Sequence, residues 1–474
     1  MLQRIGRVDA RRVYYLLIGA WGAALLVRLV LLFLLHDAPY VAGMAQGDVA
    51  YGIVSGQGLV HGSLPGCGIA LVQNAQHRLI DVEDYLKNYE PWCEELGLGG
   101  KSARPMPFIS AMMPGPGILL AGTHYAFGSF RYIYLQAILA VLDSLGVFLV
   151  FSIGLRYFSI AVALLASFLY ALFLPIARLA IAGGIRDAWM PIILLAALFA
   201  FLKGSDGSSS CWRWFGAAGF LLGAGCYFRP TVLLLPVFWA SLLFVTRRLS
   251  LRGICQALIV MLVPLILLLS PWWVRNYIVF DRFIPTYAGF WMATWQGLGE
   301  YANPVGAVLK DEVVYQQYLD AGGFDSYFSP RFTDDYFRPK VLRAIRDEPM
   351  WYLSVLFRRV ISLPVQVYDW GYDSSTLPLL PRRVFFRGST ALLFALAAIG
   401  LSMNRRRLGE TLLISSVTLY NILVHLPILT WPRYILPGNA SLLLFAAFAL
   451  VGMWNCARSS RWNRAFYPNE SLEP

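Results

Sequence analysis

Charge is scarce in this chain. Asp, Glu, Lys and Arg make up 14% of its 474 residues, where a soluble domain carries about 25%. It has no zinc-type Cys/His spacing, no P-loop and no Gly-x-Ser-x-Gly elbow, so those signatures of zinc, nucleotide and serine-hydrolase chemistry are absent. Internal repeats and low-complexity tracts are missing, as is any soluble appendage long enough to be a separate domain.

What fills the space is apolar. Hydrophobic residues reach 58% and mean hydropathy is +0.58. Runs of about 17 to 25 apolar residues predict spanning helices, not a barrel. The first, Tyr14 to Leu35, is too long for a signal h-region and has no small-residue cleavage site behind it, so it reads as a retained helix. Aromatics (15%) gather at span ends, as an interfacial belt requires. Ten spans are predicted, near 13–35, 132–155, 160–180, 188–203, 213–228, 231–246, 254–274, 385–403, 410–428 and 434–455. The fifth and sixth meet at Arg229-Pro230, where Pro ends one helix and opens the next. The seventh is expected to end at Arg275-Asn276.

The net charge of +12 does not signal nucleic acid. Sixteen basic residues against five acidic ones fall in short loops and tails on one side, including Arg4, Arg156, Arg213, Arg247, Arg405 and Arg458. That is the positive-inside pattern, with both termini cytoplasmic. Reading 108–130 as a further span would turn these loops outward. Its Pro114, Gly115, Pro116 and Gly117 also suit a juxtamembrane element better than a span. Two external segments follow, 36–131 and 275–385, within a single transmembrane domain over 1–474. In the second, 349–368 alternates apolar and basic residues (Arg358, Arg359), which predicts an amphipathic helix on the outer leaflet. Cys67 and Cys93 in the first loop could pair in an oxidising compartment. Cys211, Cys226, Cys255 and Cys456 read as small buried hydrophobes.

On this topology charged groups collect at external helix ends: Asp48, Arg186, Asp187, Arg229, Arg275 and Arg433. Arginines grip phosphate in fixed geometry, a carboxylate can take a hydroxyl proton, and a departing phosphate needs positive charge. Each arginine taken singly could equally be an interfacial anchor. His124 and His425 read as packed or capping residues. Asp143 lies inside a span, where an acid needs a partner; the sequence names none. Carboxylates could hold a divalent ion, but no metal set is indicated.

Taken in order, these motifs resemble the GT-C superfamily of polyprenyl-phosphate-sugar glycosyltransferases. The similarity is to the branch of protein O-mannosyltransferases and lipid A aminoarabinose transferases. The acidic first-loop motif is matched by Asp48 and Tyr51, with Val49 in place of the second acid. The juxtamembrane motif is matched by Met113 to Gly117, without its His. Asp187, Arg229-Pro230, Pro271 through Asn276, and Arg433-Tyr434 with Pro437 match the later ones. The resemblance implies an all-α polytopic membrane protein, a GT-C-type bundle of about ten helices with juxtamembrane helices in the first external loop. It implies an inverting transferase moving a sugar from a polyprenyl-phosphate donor to a glycan, lipid or protein acceptor on the periplasmic face of a bacterial inner membrane. Asp48 and Asp187 are then catalytic. Arg229, Arg275, Arg433 and Arg186 bind the donor phosphate, and Tyr51, Asn276 and Tyr434 bind substrate. The competing expectation is a transporter or flippase of a lipid-linked glycan, which would place charge near the midplane.

Overall fold

The structure is a computed structural model. It describes residues 7–35, 49, 53–54, 60–61, 106–107, 113–128, 132–182, 184–207, 211–310, 313–314, 317, 320–321, 330–363 and 379–458. Apart from one two-residue antiparallel pairing, β1 (Val60–His61) with β2 (Met106–Pro107), the described elements are helical.

Helix α1 (Arg7–Leu35) buries Val13, Ala20, Ala24 and Arg28, spaced along one face, and leaves Leu26, Val30, Phe33 and Leu34 exposed. This is the division expected of a helix with one side on the bundle and the other toward lipid. Among the described residues of the expected juxtamembrane stretch lies α2 (Gly115–Phe127). Its thirteen residues rise about 20 Å, short of a hydrocarbon core of about 30 Å. Next come α3 (Tyr132–Ser144), α4 (Gly146–Tyr157), α5 (Ile160–Leu172), α6 (Leu174–Ala182) and the single turn α7 (Gly184–Asp187). The Ser159 hydroxyl caps α5 by accepting from the Val162 N–H, and α5 and α6 meet at a 50° bend.

Helices α8 (Met190–Gly204), α9 (Cys211–Cys226), α10 (Leu235–Val245) and α11 (Leu251–Phe280) form the middle of the bundle. Gly219 of α9 lies directly against the Met261 backbone of α11. Small residues allow such close approach where lipid supplies no hydrophobic drive between helices. Beyond them lie α12 (Phe290–Leu298), α13 (Pro330–Asp347), α14 (Pro349–Ser362), α15 (Leu379–Met403), α16 (Leu408–Ile414), α17 (Ser416–His425), the turn α18 (Pro432–Ile435) and α19 (Leu442–Arg458). Residues Leu442 to Ala449 are all buried, making α19 a central helix. Trp295, Leu298, Phe337 and Val341 build a small second core between α12 and α13.

Each of the ten predicted stretches is helical. By length and composition, five helices among the described residues can cross a membrane alone: Ala10–Leu34, Ile133–Tyr157, Leu251–Phe280, Val384–Met403 and Pro432–Arg458. The bent pair α5–α6 makes a sixth, and Met190–Gly204 and Pro230–Val245 are apolar but shorter.

Two expectations are corrected. Helix α11 runs on through Pro271 to Phe280, so Arg275 and Asn276 lie inside it and not at its end. Proline removes one helical hydrogen bond. The Leu267 carbonyl, four residues before Pro271, accepts instead from the Ser270 hydroxyl at 2.9 Å. Cys255 and Cys456 are exposed, whereas Cys211 and Cys226 are buried. Arg359 is buried completely, with its neighbour Arg358 exposed.

Asp143 finds its partner in α1. Arg28 Nε donates to Asp143 Oδ2 at 2.8 Å, with Nη2 2.6 Å from the same oxygen, and Tyr170 Oη donates to Oδ1 at 2.8 Å. Arg28 Nη1 reaches the carbonyls of Ala171 and Ala24. All three side chains are fully buried, and burial of a charge is tolerable only when paired in this manner.

Candidate functional site

Asp187 closes the α7 turn. Arg229 stands between α9 and α10, in extended conformation, with Pro230 opening the next 3-10 turn. Arg433 lies on α18, more than two hundred residues further along. These three meet. Arg229 Nε donates to Asp187 Oδ1 at 2.6 Å, and its Nη2 meets the same oxygen. Arg433 Nε lies 3.7 Å from Oδ2. All three side chains are mostly buried.

Tyr434 links the two guanidinium groups. That of Arg229 lies 4.2 Å from the ring centre and that of Arg433 4.9 Å, and Arg433 Nη2 donates to the Tyr434 hydroxyl at 3.0 Å. Arg433 also covers Trp431 at 4.5 Å. Such stacking favours Arg over Lys, because the planar group can lie on a ring and still present donors at its edge. His425, expected as a packed residue, stacks on Tyr434 at 5.0 Å and 24°, with Nδ1 2.8 Å from the Asn421 carbonyl. Its place beside the site was not evident from spacing.

Two other motifs come to the same end of the bundle. The Gly115 N–H donates to the Tyr227 carbonyl at 3.0 Å, two residues before Arg229. A Cβ on Gly115 would stand 2.5 Å from that carbonyl oxygen, so only glycine fits without a shift. The Pro271–Asn276 motif acts through its indoles and amide. Trp272 Nε1 donates to the Thr286 carbonyl at 2.7 Å, Trp273 Nε1 to Pro285 at 2.6 Å and Asn276 Nδ2 to Ile284 at 3.4 Å. These bonds fold 284–287 back toward α11. Tyr287 then sits in the field of Tyr434, Arg229 and Arg186. Burial, with Tyr434, pushes its hydroxyl up to about 12, opposed by the two arginines. Arg275 itself donates to Asn276 Oδ1 at 2.9 Å and lies over Trp272 and Phe280. These contacts stay within its own helix and do not join it to Asp187.

Behind Arg433 lies a support that the sequence did not signal. Arg359 Nε donates to Glu300 Oε2 at 2.7 Å, Nη1 to the Leu426 carbonyl at 2.6 Å, and Nη2 to Gly297 at 2.6 Å and Ile428 at 3.2 Å. Glu300 Oε1 accepts from the Thr430 N–H at 3.2 Å. The turn leading into Trp431-Pro432-Arg433-Tyr434 is therefore held from inside. Burial raises the Glu300 carboxyl above the ordinary glutamate range, with Arg359 pulling it back.

Asp48, Tyr51, Cys67 and Cys93 lie outside the described residues. Val49 is fully buried in the main core, and Ile53 packs with Leu120, Leu135 and Trp189. Among the described residues no group of three or more His, Cys, Asp or Glu side chains could hold a metal ion. Among the described residues, one carboxylate set among Arg229, Arg433 and the nearby Arg186 leaves an excess of positive charge, suited to an anionic group such as phosphate.

No family profile matches the chain, and no curated protein matches it. Among solved structures, it is similar to the apo oligosaccharyltransferase of Archaeoglobus fulgidus. The identity is 12%, over 96% of this chain and 52% of that one, with a TM-score of 0.49. It is also similar to the oligosaccharyltransferase AglB of the same organism in complex with an inhibitory peptide and a dolichol-phosphate. There the identity is 15%, over 74% of this chain and 44% of that one, with a TM-score of 0.42. The chain spans about half the length of these proteins.

Proposed function

We propose that this is a membrane glycosyltransferase of the GT-C type, transferring a sugar from a polyprenyl-phosphate donor to an acceptor hydroxyl or phosphate. The observation that carries the reading is the meeting of Asp187, Arg229 and Arg433 over Tyr434. In this reading the arginines, with Arg186, hold the donor phosphate, and Arg275 is a weaker candidate. Asp187 keeps the two guanidinium groups apart and oriented, and can also accept from a sugar hydroxyl. Tyr434, Asn276 and Tyr51 border the substrate.

In the step itself the acceptor oxygen attacks the anomeric carbon from the face opposite the phosphate. The carbon–oxygen bond to phosphate breaks, and the bonding pair leaves with the polyprenyl phosphate. The acceptor proton passes to Asp48. Configuration inverts once, and the growing charge on the phosphate is met by Arg229 and Arg433. Support for placing Asp48 in this role comes from Val49 and Ile53, its chain neighbours, which pack in or against the core.

The site end is taken as external and the basic end as cytoplasmic, with about ten spans in a bacterial inner membrane. Ion pairs between Arg156 and Asp206, and between Arg248 and Glu410, join loops of the basic end to one another. The test is mass spectrometry of glycolipids, glycoproteins and surface polysaccharides from cells with the protein, without it, and with Asp48→Asn. One sugar missing in both the deletion and the variant is the expected result. A full pattern in Asp48→Asn, with the variant present at normal level, removes the mechanism and favours a transporter.

A further inference from the structure

Helix α14 has its polarity inside out. Met350, Leu353, Phe357, Val360 and Ile361 recur at helical spacing and are 46–75% exposed. On the face turned to the protein lie Val355 and a fully buried arginine, Arg359. A water-facing helix would show the reverse arrangement, and a continuous exposed apolar stripe marks a contact. The end of the helix indicates the partner. Leu363 lines a cavity with Phe386, Thr390 and Phe394, in the first turns of the Val384–Met403 span, together with Pro432 next to Arg433. The stripe thus ends beside the start of a candidate span on which Val384, Phe385 and Leu392 are exposed. Arg358 is exposed beside the stripe, placed to meet anionic headgroups.

We propose that α14 is seated in the lipid interface by its Met350–Ile361 stripe, and that Arg359 ties this seat to the loop carrying Arg433. Arg359 bonds the carbonyls of Leu426 and Ile428, and Tyr352 Oη donates to Pro427 at 3.2 Å. Two side chains of one helix, seven residues apart, thus reach the segment that delivers Arg433 and Tyr434. The partner is the membrane surface itself, and contact with it is transmitted to the arginine loop. This inference is independent of the reaction catalysed.

The full chain is reconstituted in nanodiscs of phosphatidylethanolamine and phosphatidylglycerol. Single variants Leu353→Cys, Phe357→Cys and Arg358→Cys are exposed to a charged maleimide, and labelling is read peptide by peptide by mass spectrometry. Labelling at 353 and 357 is expected to be roughly tenfold slower than at 358. Equal rates overturn the seat. Hydrogen–deuterium exchange is then compared between wild type and Leu353→Glu/Phe357→Glu. Faster exchange in 426–436, with 190–204 unchanged, is the expected result. Unchanged exchange in 426–436 overturns the tie. If 190–204 also loosens, the fold has failed, and the single Phe357→Ser variant decides by the same two peptides.

Discussion

The two ends of the bundle both gather arginines and use them differently. At the basic end the pairs are partly exposed: Arg248 lies 3.3 Å from Glu410 with both side chains about one-third open, and Arg407 lies 3.7 Å from the same carboxylate. At the other end Arg229, Arg433 and Asp187 are mostly buried, and rings of Tyr434 and Trp431 cover the guanidinium faces. Exposed ion pairs contribute little to stability, because water solvates the charges almost as well. Buried ones are costly to break, because the surviving charge has nowhere to go. The first end leaves its charges to water, and the second holds positive charge in a place water does not dilute.

That contrast can be broken, most severely by Arg229→Leu. It leaves Asp187 buried with Arg433 at 3.7 Å in place of two close guanidinium contacts, and should lower stability by about 3–5 kcal/mol, read by thermal unfolding in detergent. A loss below 1 kcal/mol would put the two ends on the same footing. Gly115→Ala should cost about 1–3 kcal/mol by driving α2 off the Tyr227 carbonyl, with the sugar transfer proposed above reduced in parallel. Unfolding midpoint and transfer rate check this together.

Glu300 gives a pH signature that belongs to the buried end alone. Its folded carboxyl ionises above the ordinary value of about 4.3. Its contribution is therefore fully present below that value and is lost as pH rises through the raised one. Glu300→Gln should flatten that slope, measured as unfolding midpoint against pH. An unchanged slope would assign it to other groups. The smallest effect is expected at the basic end, where Arg248→Ala should cost about 0.2–1 kcal/mol and disappear in high salt.

Much of the helical layout was legible because apolar run length and the one-sided basic loops are direct consequences of the bilayer. Asp187, Arg229 and Arg433 were legible as candidates from their position at helix ends, though nothing in their spacing says that they touch. Three things were hidden. The partner of Asp143 is 115 residues away in the first span, where Arg28 is one polar residue in an apolar run. Arg359 sits beside Arg358 in an alternating pattern that gives no sign of which one turns inward. The end of α11 was misplaced because Pro271 reads as a breaker, and the hydroxyl that satisfies the Leu267 carbonyl is visible only in three dimensions.

The Arg28–Asp143 pair also bears on the order of synthesis. Arg28 enters the membrane machinery with α1, and Asp143 is made 115 residues later. During that interval α1 carries a bare charge at a cost of about 2.5–3.5 kcal/mol for release into lipid. Release of α1 and α3 together, as a neutralised pair, would avoid that cost. Arg28→Leu would free α1 early and strand Asp143, turning a folding partner into an insertion defect.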